Sequence, residues 1–363
     1  MIIGIDGNEA NVEKKVGISE FAYRILTELH KKKDIQFEIY LKSKPNSEMP
    51  PENQNWRYKV FGPKKFWTQF ALPLSLFKTQ QKPDVFFSPT HYAPRFSPVP
   101  TVIAIMDISY VFYPETFKKR DLRQLNSWTG YSVKKARKVI TISQSSKNDI
   151  IKHYKVPDSK VDVVYPGIKN LMKSNKKLDL STWGIKEDYI LFVSTLQPRK
   201  NIERLIEAFS KLKKDNLQLV IVGKRGWLYE DILAAPKKFG VEKEVVFLDF
   251  VSDEDLPVLY ENAQCFVMPS LYEGFGLPIL EAMKYDCPVV TSNVSSLPEV
   301  GGDAALYFDP YNTDEIKEKI EKVLTDAKLR KTMIEKGREQ VKKFNWEKSA
   351  EKVLSILKEV AGK

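Results

Sequence analysis

Short unbroken apolar runs alternate with helix-length stretches along almost the whole chain, and this alternation limits the fold before anything else does. In the first half the runs are Ile2–Asp6, Phe37–Leu41, Val85–Ser88, Thr101–Met106, Lys138–Ile142 and Val161–Val164. In the second they are Tyr189–Ser194, Leu217–Val222, Val245–Leu248, Gln264–Met268 and Pro288–Thr291. Runs without polar alternation suit parallel strands covered on both faces. Helical patterns fall between them, for example Ile202–Lys213 and Pro278–Lys284. A βα unit repeated in each half predicts an α/β chain of two doubly wound parallel-sheet domains.

The 363 residues suit two such domains, and 42% hydrophobic residues can fill two cores. The boundary is expected in the polar stretch Lys169–Ser181, giving 1–170 and 171–345. A charged helical tail follows; its last part, 346–363, is a helix that could return to the first domain. In open sheets of this kind, ligands bind beyond the carboxyl ends of the strands, where loops feed helix N-termini. Residues placed just after strands are therefore the candidates.

The most informative string is LeuTyrGluGlyPheGlyLeuProIleLeuGlu, 271–281, which leaves a strand and opens a helix. Gly274 and Gly276 allow close backbone approach. Amides beside Phe275, Gly276 and Leu277 can meet a phosphate at the helix start. Glu281, about one turn in, suits the hydroxyls of a ribose, and Glu273 can meet sugar hydroxyls from the loop. ThrLeuGlnProArgLysAsnIle, 195–202, puts Arg199 and Lys200 at another strand-to-helix loop, with Asn201 a candidate N-cap. A guanidinium fork beside an ammonium makes a diphosphate site. Gly223, in ValGlyLysArgGlyTrp (222–227), permits close approach of a ligand or simply a turn.

Together these strings resemble glycosyltransferase family 4, whose hallmark pairs two glutamates eight positions apart, here Glu273 and Glu281. The resemblance implies a GT-B fold with the two domains facing a central cleft, and hexosyl transfer with retention of configuration. The donor would be a nucleotide sugar, GDP-mannose ahead of UDP-glucose, and the acceptor a glycan, a lipid-linked sugar or a small molecule. It assigns Arg199 and Lys200 to the donor diphosphate and Gly17 to a loop that faces the donor at the start of helix Glu20–His30. Asp107 matches a further family segment, as an acceptor-side contact or a structural cap; Met106 stands where that segment carries histidine. His91, in SerProThrHisTyrAlaPro, is either a cleft imidazole or an ordinary hydrogen-bonded side chain. A nucleotide-sugar 2-epimerase of the same architecture and a non-catalytic sugar-nucleotide binder remain open alternatives.

No HisGluXaaXaaHis or CysXaaXaaCys spacing occurs, so no metal or cofactor is expected, the nucleotide sugar being a co-substrate. A dinucleotide dehydrogenase is excluded, since no GlyXaaGlyXaaXaaGly follows the first strand. The start of the chain does not read as a signal peptide, and no apolar run approaches about 18 residues. Two cysteines, Cys265 and Cys287, cannot build a disulfide framework, so a cytoplasmic setting is expected. Residues 1–166 hold 27 Lys and Arg against 16 Asp and Glu, whereas the remainder is balanced. That excess points to solvated surface or to an anionic partner such as the inner face of a membrane, and no nucleic-acid motif accompanies it. Within it, 64–78 mixes Phe66, Trp67, Phe70, Leu74 and Phe77 with lysines, as an interfacial helix or a core-facing one broken by Pro73. The core-facing reading is preferred.

Overall fold

The computed structural model describes residues 1–169, 179–212 and 214–362. They fall into two compact units, one of Met1–Gly167 with Asn345–Lys363 and one of Ile168–Phe344. Residues 170–178 of the expected boundary stretch lie outside the described residues.

The first unit carries β1 (Ile2–Asp6), β2 (Gln36–Leu41), β3 (Trp56–Val60), β4 (Val85–Ser88), β5 (Thr101–Ala104), β6 (Lys138–Thr141) and β7 (Val161–Val163). They form one sheet in the order β3-β2-β1-β4-β5-β6-β7, with parallel pairing throughout. The second unit carries β8 (Asp188–Val193), β9 (Leu217–Val222), β10 (Val245–Leu248), β11 (Cys265–Met268), β12 (Val289–Ser292) and β13 (Ala305–Phe308). Their order is β10-β9-β8-β11-β12-β13, again all parallel.

The apolar runs explain the burial. β1, β4, β5, β9, β11 and β12 are buried at every position, as strands covered on both faces must be. Each sheet reverses direction once: after β3 the chain crosses to the other side of β1 to form β4, and after β10 it crosses β8 to form β11. The crevices at the carboxyl ends of β1/β4 and β8/β11 are therefore the switch points where ligands bind in such sheets.

Several expected boundaries shift. The helix expected over Ile202–Lys213 runs Ile202–Ser210, and Lys213 lies outside the described residues. The helix after Gly17 spans Ile18–Leu29, and the tail folds as Thr313–Thr325, Ala327–Val341 and Trp346–Ala361. β3 and β13 were not expected; both are outermost strands. Segment 64–78 also differs from the preferred reading, because only part of it faces the core. Trp67, Ala71, Leu72 and Leu76 are buried against Tyr40 and Phe86, while Phe66, Phe70, Leu74 and Phe77 are exposed.

Candidate functional site

In the second unit the loops after β8 and β11 meet at the switch point. The β8 loop tightens into a single 3₁₀ turn, Pro198–Lys200, and Leu271 N–H donates to the Arg199 carbonyl at 2.9 Å, tying the two loops together. Asn201 follows with φ 58°, a left-handed conformation that asparagine tolerates. It stands at the N-cap of helix Ile202–Ser210, but its side chain does not cap the helix as expected. Its amide instead donates to the Pro269 and Pro310 carbonyls at 3.0 and 2.8 Å, fixing the loop to the ends of its neighbours.

This frame brings three charges together. Lys200 Nζ donates to Glu273 Oε1 at 2.5 Å, and Arg199 Nη1 lies 3.4 Å from Glu273 Oε2. Arg199 also donates to the Tyr272 carbonyl, and Ser270 Oγ donates to Glu273 Oε1 at 2.7 Å. The Glu273 backbone is held as firmly: its N–H donates to Ser295 Oγ at 2.9 Å and its carbonyl accepts from Ser296 Oγ at 2.9 Å. Burial alone would push the Glu273 carboxyl up. Lys200 first and Arg199 second outweigh it and hold the carboxyl below its ordinary range. The cluster thus keeps an excess of one positive charge at the carboxyl end of the sheet. Glu273, expected to face sugar hydroxyls, spends its carboxylate on the two cations in this structure.

Gly276 (φ 111°) opens helix Leu277–Lys284 and places the positive end of that helix beside the cluster. Gly274 and Phe275 lie between, with the buried Phe275 ring edge-on to Phe344 at 5.5 Å. Glu281, a turn further on, accepts from the Tyr260 hydroxyl at 3.1 Å. Burial raises its carboxyl, against the pull of the Tyr260 hydrogen bond.

Gly223 is closely packed by the neighbouring loop. Its φ is 158°, and a Cβ there would stand 1.7 Å from the Ser194 carbonyl oxygen. The loop after β9 runs against the loop after β8, with Leu196 N–H donating to the Lys224 carbonyl and Gly226 N–H to the Leu196 carbonyl. Gly223→Ala is therefore expected to destabilise the second unit by about 2–4 kcal/mol through backbone overpacking and strain. A lower midpoint in chemical denaturation would show it; an unchanged midpoint would remove the packing role.

In the first unit Gly17 has φ 53° at the start of helix Ile18–Leu29, and a Cβ there would meet nothing within 4 Å, so the space beside it is open. Asp107 accepts from Ser109 N–H at 2.7 Å, one residue ahead of Ile108, the N-cap of the short helix Ser109–Phe112. His91 follows β4; its Nδ1 is enclosed and has no hydrogen-bond partner among the described residues. Burial holds the imidazole below its ordinary value, against the upward pull of Asp107. Sequence reasoning missed Asp6, a buried carboxyl at the end of β1 that burial pushes up to about 6, despite hydrogen bonds from Asn8. Its position after IleIleGlyIle was the available signal. Among the described residues, no three His, Cys, Asp or Glu side chains converge as a metal site.

Comparison with known proteins agrees with this geometry. Residues 17–169 match the family model Glycosyltransferase Family 4, and residues 175–340 match Glycosyl transferases group 1. The O-antigen chain mannosyltransferase B of Escherichia coli is 34% identical over 76% of this chain and 74% of its own length. Among solved structures, the sucrose-phosphate synthase of Thermosynechococcus elongatus superposes with a TM-score of 0.77 at 17% identity, covering 99% of this chain and 98% of that one. Anabaena HepE, solved with UDP-glucose, gives a TM-score of 0.73 at 20% identity and covers 99% of both chains. Two doubly wound parallel sheets, each with its switch point, thus coincide with family matches over both halves, and the chain belongs to glycosyltransferase family 4, with the GT-B fold.

Proposed function

We propose that the chain is a retaining hexosyltransferase that takes mannose from GDP-mannose, or next glucose from UDP-glucose, to a glycan, lipid-linked or small-molecule acceptor. The observation that carries this reading is the buried Arg199–Lys200–Glu273 cluster beside the helix start at Gly276. A group that needs a net cation and a helix dipole is a diphosphate. The mannosyltransferase relative favours mannose, and the UDP-glucose complex of a structural neighbour keeps glucose next.

In the proposed reaction the bond between the anomeric carbon and the β-phosphate oxygen breaks. An acceptor hydroxyl oxygen bonds to that carbon on the same face, and its proton passes to the departing phosphate. Arg199, Lys200 and the helix start stabilise the charge that grows on this leaving group, the kind of preorganised electrostatics that lowers such barriers. Glu273 holds both cations in place. Glu281 holds the ribose, and Gly17 leaves open space at the start of helix Ile18–Leu29. Asp107 orients the acceptor side through the Ser109–Phe112 helix. No metal or cofactor takes part, and the enzyme works in the cytoplasm at the inner face of the membrane.

A panel of nucleotide sugars tests the donor assignment. At 100 times its dissociation constant the true donor adds about 2.7 kcal/mol of stability, seen as a higher melting temperature, with EDTA present. Arg199→Ala and Glu281→Ala each weaken that donor by about 1.5–3 kcal/mol, the value of a charge-assisted hydrogen bond. Titration curves unchanged in both variants would move the donor elsewhere, and stabilisation lost in EDTA would bring a metal into the reaction.

A further inference from the structure

The segment after β3 serves two surroundings at once. Its inner side holds Trp67, Ala71, Leu72 and Leu76 in the core, with Trp67 stacked on Phe61 and its indole N–H donating to the Phe61 carbonyl at 3.1 Å. Its outer side carries Phe66, Phe70, Leu74 and Phe77, which are 53, 68, 54 and 54% exposed. Their spacing of four, four and three residues puts them in one stripe along the helical turns Trp67–Ala71 and Leu72–Lys78. Phe66 and Phe70 already touch edge-on at 6.3 Å. An open groove of about 440 Å³, walled by Phe61, Pro63, Phe70 and Leu74, runs beside the stripe. A contiguous apolar stripe of this size on a water-facing helix marks a contact surface.

The charge around the stripe identifies the contact. Between Glu52 and Asp84 the chain carries Arg57, Lys59, Lys64, Lys65, Lys78 and Lys82 and no carboxylate, although Lys59 pairs with Glu38 from the adjoining strand. Lys64 and Lys65 precede the stripe and Lys78 closes it, with Lys65 Nζ lying 5.5 Å from the Phe66 ring centroid. Large apolar side chains rimmed by lysines are the chemistry of an interfacial helix on an anionic bilayer. No helix among the described residues is long and apolar enough to cross a membrane, so a surface contact is the geometry available to it.

We propose that Phe66, Phe70, Leu74 and Phe77 form a monotopic docking face that inserts into the headgroup region of an anionic lipid bilayer. The flanking lysines supply the attraction and the aromatic stripe supplies the insertion. This site is separate from the donor loops, and its failure would leave the nucleotide-sugar reading untouched.

The test is co-sedimentation of the full chain with phosphatidylglycerol–phosphatidylcholine vesicles, with pure phosphatidylcholine alongside. The chain should sediment with anionic vesicles at low salt and be mostly released at high salt, where the Debye length contracts from ~10 Å at 0.1 M to ~3 Å at 1 M. Phe70→Gln with Phe77→Gln should lower the partition coefficient by about tenfold or more while donor binding is unchanged. Both positions face water, so the fold is spared. Lys64→Gln with Lys65→Gln should remove much of the salt-sensitive part. Three results would each overturn the proposal. They are no binding to anionic vesicles, equal binding by the Phe70→Gln/Phe77→Gln variant, and a dimer in light scattering that the same variant abolishes, which would make the stripe an interface between copies.

Discussion

Replacing Glu273 by glutamine should lower turnover by about 100-fold or more and destabilise the second unit by about 3–5 kcal/mol. The isostere keeps the volume but removes the charge that Lys200 and Arg199 share. Two cations at the end of the sheet, mostly withdrawn from water, then lose the carboxylate they share. Stability and turnover can be separated with a second change. Removing Lys200 as well, as Lys200→Met, takes away the uncompensated charge, so the double variant should recover stability relative to Glu273→Gln. The two substitutions should show a coupling of about 1–3 kcal/mol, as side chains in direct contact do. Turnover should not recover, because the proposed diphosphate site has lost one of its cations. Full activity in Glu273→Gln would end the assignment.

The same cluster sets a pH dependence of known sign. The Glu273 carboxyl is held below its ordinary range in the folded protein, so folding favours the ionised form. Its contribution is complete above the unfolded carboxyl value, near 4.5, and is lost as pH falls through the lower folded value. Glu273→Gln should therefore flatten the acid limb of the stability curve of the second unit. Asp6 acts in the opposite sense, since burial raises it to about 6. The stability held by its neutral form is complete below the unfolded value of 3.8 and is lost as pH rises through about 6, so the acid limbs of the two units should differ.

Much of this arrangement could be read from residue order alone. Nine of the eleven expected strands lie inside their sheets and showed themselves as apolar runs because they are buried on both faces; β7 and β10 are edge strands that were legible all the same. β3 is an edge strand reading TrpArgTyrLysVal, with only Trp56 buried, and β13 is four residues long and half covered. β3 lacks the continuous apolar signal of its neighbours, whereas β13, AlaLeuTyrPhe, carries one although it was not expected. The loops of the site were legible for a similar reason, since Gly, Pro and paired charges after a strand have few other uses. The pairing within the site was not. Lys200 and Glu273 are 73 residues apart, and they meet only because β8 and β11 are neighbours in the sheet. Strand order of that kind is a property of the assembled fold. The roles of Asn201 and Gly223 were hidden likewise, because each is set by the backbone of an adjoining loop.

Deleting residues 345–363 should unfold the first unit while leaving the second able to bind donor. Helix Trp346–Ala361 is the last element of the chain, yet it groups with the first unit. It buries Ala350, Val353, Leu354, Ile356 and Leu357, and Trp346 meets Phe21 edge-on at 6.0 Å. Polar contacts fix its register: Ser349 Oγ donates to the Tyr165 carbonyl at 2.5 Å, and Lys138 reaches Glu359 at 3.1 Å. Each fully buried aliphatic side chain contributes about 1.5–3 kcal/mol, so the four large ones represent about 6–12 kcal/mol as an upper bound. A domain's whole net stability is about 5–15 kcal/mol, which leaves the truncated unit little or nothing. Point variants grade the effect. Leu357→Ala should cost about 2–5 kcal/mol, whereas Glu351→Ala, which loses only the exposed contact with Lys32, should cost less than about 1 kcal/mol. Denaturant unfolding followed by near-ultraviolet dichroism, with nucleotide-sugar titration on the same samples, reads both units. A truncated chain whose first unit melts as in the intact protein would show that the helix is an appendage and that residues 1–167 hold their fold alone.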